Sequence, residues 1–123
     1  MRILSDFGTD EAMDVTLEIT QPIANLIEDE TFVEELRKTM PKGETTYIEI
    51  KRFGLAKIVK LLNIALKQHR QDVYAILSPF NGLTVEEIGK QKFLITCKQV
   101  ADLLNDKEFV DFFKSYLGGG QSE

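Results

Sequence analysis

The chain has little of what catalytic, disulfide-stapled or membrane-spanning proteins depend on. Its 123 residues hold one cysteine, Cys97, and one histidine, His69. A single thiol cannot close an internal disulfide, which points to a reducing compartment. A lone imidazole offers one general base and no second one to support it. Metal centres need several His, Cys or carboxylate ligands that converge. The adjacent pairs Glu34-Glu35 and Glu86-Glu87 diverge by about 100° if helical, so they cannot converge locally. They suit instead the first turn of a helix, where acids favour the dipole. No apolar run approaches the roughly 20 residues that span a bilayer. The opening MRILSDFGTDEAMD turns acidic within six residues, unlike a signal peptide. Positive charge is also short: 15 basic against 20 acidic residues leave a net charge of −5, which opposes a general nucleic-acid role. The run Gly118-Gly119-Gly120 has no following helix to make it a phosphate cradle. The expectation is a protein that is not an enzyme, with no catalytic, cofactor-binding or metal residues, no cofactor, and neither nucleic acid nor membrane as partner.

What the chain does have is helical patterning at the length of one domain. Residues 1–13 read as a flexible acidic arm, 14–117 as a single helical domain, and 118–123 as a flexible Gly-rich tail. The fold class expected is mainly α: a compact domain of about five or six helices with at most a small two-stranded β ribbon. The ribbon would come from two stretches. In Asp14–Thr20, Val15, Leu17 and Ile19 alternate with Thr16 and Glu18, the period of a half-buried strand. In Thr45–Lys51, rich in β-branched and aromatic residues, Ile48 and Ile50 alternate with Tyr47 and Glu49. Pro22 suits a helix start after the first of these. A second helix begins near Thr31, whose spacing to Glu34 fits a capping box, and ends before Pro41.

The strongest helical signal runs from Gly54 to Gln68. Leu55, Ile58, Val59, Leu62, Ala65 and Leu66 follow the i, i+3, i+4, i+7 rule. Its polar side carries Lys57, Lys60 and Lys67 with no acid among them, His69 and Arg70 follow, and Ile64 sits beside the lysines. This basic strip is either a solvated face or a surface for an acidic partner. A short helical piece, 72–77, ends at Ser78-Pro79, and Asn81-Gly82 makes a turn. Thr84 and Glu87 have capping-box spacing. Residues 92–104 present Phe93, Cys97, Val100, Ala101 and Leu104 on one face, where Cys97 is a packed thiol rather than a reactive one. The closing helix, 107–117, carries six large apolar side chains, among them Phe109, Phe112, Phe113 and Leu117. Phe109, Phe113 and Tyr116 share a stripe that can enter the core, while Phe112 lies off it. Such a helix is either buried on two sides or leaves an apolar patch for association. Phe112, Leu117, Ile64, Lys57, Lys60 and Lys67 are therefore the candidate partner-binding residues, and self-association is expected.

The order of these features carries a resemblance. YIEIKRFG leads into LAKIVKLLNIALKQ, a short helix follows, then LSPFNGLTVEEIGKQKFLITCKQVADLLND, and last the aromatic FVDFF. Over roughly residues 45–117 this resembles the tail assembly chaperones of long-tailed bacteriophages. The resemblance implies a small protein of the host cytoplasm, absent from the mature virion, that binds the tape measure protein and assists tail tube subunits in assembling around it. It also implies that the codons of Gly118–Gly120 can serve ribosomal slippage, the other reading of that run being a flexible tail. A cytosolic regulatory adapter, or an accessory subunit binding one protein partner, fits the same residues without the resemblance.

Overall fold

The structure is a computed structural model that describes the backbone of residues 1–39 and 46–117 and the side chains of residues 1–38 and 59–116. Within those residues the chain forms six α-helices and no strand: α1 (Thr9–Ile27), α2 (Glu30–Thr39), α3 (Thr46–Asn81), α4 (Val85–Lys90), α5 (Phe93–Leu104) and α6 (Lys107–Leu117). A 3-10 turn, Leu4–Asp6, precedes them. Helices α1, α2, α4 and α5 all pack on α3, and α6 closes the bundle against α1, α5 and the N-terminal turn.

The mainly helical expectation holds, and the β ribbon does not form. Residues 14–20 lie inside α1, and 46–51 are the first turns of α3. In α1 the apparent alternation gives way to a stripe of four buried residues, Val15, Ile19, Ile23 and Leu26. Val15 and Ile19 are compatible with either period, but Leu17 is 74% exposed. The threonines that suggested a strand donate their hydroxyl protons back to the preceding turn, Thr16 to the Met13 carbonyl at 3.1 Å and Thr20 to that of Thr16 at 2.7 Å, a helical way to satisfy them. Pro22 does not start a helix; it sits inside one. It leaves the carbonyl four residues back, on the exposed residue Glu18, without its helical donor.

The arm expected at 1–13 is instead seated on the bundle. Leu4 is buried, and Arg2 N–H donates to the Phe80 carbonyl at 3.1 Å. The Arg2 guanidinium lies 4.5 Å from the Phe7 ring centroid and forks onto Glu11. Phe7 stacks on Phe80, Phe80 meets Phe109 edge to face, and Phe109 stacks on Phe113. This aromatic file runs from the N-terminus through α3 into α6. Its polar counterpart is Asp106, buried just before α6. Its carboxylate accepts the N–H of Glu108 at 3.2 Å and of Ser5 at 3.1 Å, together with the Ser5 hydroxyl. One side chain caps the last helix and fastens the first turn to it.

Helix α3 is one rod of 36 residues, about 54 Å long at 1.5 Å per residue. The break expected after Gln68 is absent, because Val73, Ile76, Leu77 and Phe80 continue the buried stripe begun by Leu61, Leu62 and Ala65. Leu55 and Ile58 have side chains outside the described residues. Pro79 is accommodated in the last turns, and Gly82, at φ 66°, ends the helix with its N–H on the Ser78 carbonyl. The capping box of α4 forms as its spacing predicts, Thr84 and Glu87 exchanging bonds of 3.1 and 2.9 Å. That of α2 does not: Asp29 Oδ1 accepts the Phe32 N–H at 3.2 Å, so Asp29, not Thr31, caps it. Gly89 lets α4 lie against α3, since a Cβ there would stand 3.1 Å from the Tyr74 ring.

The expected inner face of α5 holds for Cys97, Val100, Ala101 and Leu104, which are buried or packed on the core, but not for Phe93 at its first residue. Thr96, Cys97, Leu103 and Leu104 are inside, while Phe93 is exposed. Gln91 holds this end, donating to Thr96 Oγ1 and to Gln99 Oε1 at 3.0 and 2.8 Å. A partly open apolar cavity of about 80 Å³ lies between the helices, with Leu62, Leu77, Leu104 and Phe113 among its lining. Phe113→Ala would enlarge that cavity and should cost about 3–5 kcal/mol in chemical denaturation. Phe112 is half-buried, so Phe112→Ala should cost clearly less than Phe113→Ala; equal losses would mean both rings are core.

Candidate docking surfaces

Of the residues proposed from sequence as partner-binding, the four with described side chains are divided between α3 and α6. Phe112 is half-buried, its ring edge-to-face with Tyr116 at 5.4 Å, and both pack against the core. Ile64 also packs against the core rather than standing among the lysines, because it shares an arc of α3 with the buried Leu61 and Ala65. Lys60 and Lys67 are exposed. Leu117 and Lys57 belong to α6 and α3, with side chains outside the described residues. The apolar excess of α6 is largely absorbed by the fold, since Phe109, Val110 and Phe113 are buried.

The exposed apolar side chains lie elsewhere. Phe93, Leu94 and Ile95, the first turn of α5, are 45%, 59% and 44% exposed. Three consecutive helical residues point about 100° apart, so no single neighbour can bury all three. That signal was present in the sequence. Phe93 closes one end of an open groove whose other walls come from α3: Asn63, Leu66, Lys67, Arg70 and Tyr74. Lys67 thus belongs to a basic groove with an apolar floor. A second exposed set lies on the outer side of α1, where Met13 is 57% and Leu17 74% exposed. Read as a helix, Asp10, Met13, Asp14, Leu17 and Glu18 share one face. Read as a strand, they do not, which is why the sequence pattern concealed it.

His69 is not part of the basic strip's solvent face. Its side chain is 16% exposed and bridges two carboxylates, Asp29 Oδ2 at 2.8 Å through Nε2 and Asp72 Oδ2 at 3.2 Å through Nδ1. Asn25 donates to the other oxygen of Asp72 at 2.9 Å. The Phe32 ring is tilted against the imidazole. One ring therefore ties the start of α2 to α3 and, through Asp72 and Asn25, to α1. Burial pushes the His69 pKa down, but the hydrogen bonds and negative charge of Asp29 and Asp72 outweigh it, and the pKa stands above its ordinary value. Asp29 is lowered, first by the bond from His69 and then by the Phe32 N–H. With both ring nitrogens engaged, the imidazole clamps the two carboxylates together. The Cys97 thiol, fully buried, is pushed up by burial and held protonated. Among the described residues no three His, Cys, Asp or Glu side chains gather as metal ligands, and no described helix is long and apolar enough to cross a membrane.

No family model, curated protein or solved structure matches this chain. What it does is therefore argued from its surfaces.

The clamp has a defined pH window. A raised His pKa stabilises the fold fully below the unfolded value of about 6.5 and loses that contribution as pH rises through the folded value. The lowered Asp29 pKa stabilises above about 3.9 and is lost as pH falls through its folded value. The clamp is complete between those limits. His69 is the only histidine, so an NMR titration reads it without ambiguity. Its midpoint should lie above 6.5, and His69→Asn should flatten the alkaline decline of stability. A midpoint at or below 6.5 would remove the charged clamp.

Proposed function

We propose that this chain is a protein-binding helical domain that serves as a phage tail assembly chaperone, with the tape measure protein as client. The observation that carries the binding reading is the exposed turn Phe93-Leu94-Ile95. Large apolar side chains left in water at this density mark association surfaces, and covering them returns roughly 25 cal/mol for each Å² removed from water. The resemblance of residues 45–117 to tail assembly chaperones supplies the client. A long helical tape with apolar positions needs a cover until tube subunits enclose it, and a domain that binds without chemistry suits that work. On this reading the protein acts in the host cytoplasm, is not an enzyme, and is left behind when the virion matures.

Co-expression with a candidate tape measure protein tests this reading. The two should co-purify, and the tape should remain soluble only with its partner present. Leu94→Asp, at a site already facing water, should weaken capture at least tenfold while leaving the helical circular dichroism unchanged. A tape that neither binds nor gains solubility would contradict the proposal and favour a regulatory adapter.

A further inference from the structure

The two exposed sets described above are complementary. On the outer side of α1, Met13 and Leu17 stand one turn apart, with Cβ atoms about 5–6 Å from each other. Asp10, Asp14 and Glu18 flank them, exposed and without ion pairs among the described residues. The groove between α3 and α5 has the opposite character. Leu66, Tyr74 and Phe93 supply apolar surface, while Lys67 and Arg70 supply charge, again without ion pairs among the described residues. From Leu66 to Tyr74 the groove wall runs about 12 Å along α3, long enough to receive two side chains one turn apart.

We propose that the groove between α3 and α5 takes the acidic outer face of α1 from a second copy of this chain. Met13 and Leu17 enter the groove, and Asp14 and Glu18 meet Lys67 and Arg70. The contact is heterologous, ridge into groove, so each copy retains one free ridge or groove and association can continue in a row or close into a ring. Exposed ion pairs add little affinity one by one. Their role here is register: a net charge of −5 makes other approaches of two copies repulsive, and this one brings opposite signs together. The inference does not depend on the identity of the client, because it concerns the protein alone.

A charge exchange tests it, read by sedimentation velocity on the full chain over a range of concentrations at low salt. The wild-type protein should associate, and added salt should weaken it. Lys67→Glu with Arg70→Glu makes both surfaces acidic, and Asp14→Lys with Glu18→Lys makes both basic. Each double variant alone should be monomeric, with circular dichroism like that of the wild type. Mixed, they should associate again, since each ridge then meets an opposite groove. Leu17→Ser, which alters no charge, should weaken wild-type association at least tenfold. A wild-type chain that stays monomeric, variants that still self-associate, or a mixture that fails to restore association would each overturn the proposal.

Discussion

The structure depends on one buried stripe. Leu61, Leu62, Ala65, Val73, Ile76, Leu77 and Phe80 run down a single helix, and four other helices find their apolar partners along it. Most of a helix's stability in a folded protein comes from packing of its apolar face. The rod becomes fixed because α1 covers one side of the stripe and α5 another. Burial of Ile19 and Ile23 against it explains why Pro22 is tolerated within α1: the lost backbone bond faces the outer, solvated side, while the packing lies inside.

Polar side chains then set the ends that packing leaves loose. Asp106 joins the first turn to the last helix, and His69 joins α2 to α3 between two carboxylates. Both are partly or wholly withdrawn from water, where a hydrogen-bonded charge is worth more and an unpaired one costs more. Neither tie uses the outer faces. That division leaves the outside of α1 and the groove between α3 and α5 free for other chains. The greasy closing helix, by contrast, is consumed by the aromatic file from Phe7 to Phe113.

Legibility followed locality. The capping box of Thr84 and Glu87, the turn at Gly82 and the closing helix are written within a few residues, and they formed as read. The first helix was hidden because Val15 and Ile19 satisfy a period of two and a period of four alike, and Thr16, Thr20 and Pro22 argue against a helix on propensity. Tertiary burial overrode propensity there. The long helix was cut at Gln68 because His69, Arg70 and Gln71 are polar; its continuity comes from Val73 onward meeting α4 and α5. The distant partners of His69 and Asp106, Asp29 and Ser5, lie 40 and 101 residues away, beyond any local pattern. The run Phe93-Leu94-Ile95 is legible in the sequence, whereas the outer face of α1 appears only once α1 is a helix, and the groove only once Phe93 is placed beside α3.

If the buried stripe of α3 organises the fold, its amides must be the last to open. Native-state hydrogen exchange, read residue by residue, measures this directly. The account predicts that residues 61–80 exchange most slowly and open together with Val15–Ile23 of α1, at the free energy of global unfolding. Fast exchange through 61–80 while α5 and α6 remain protected would contradict it, and would place the organising core in the C-terminal helices instead.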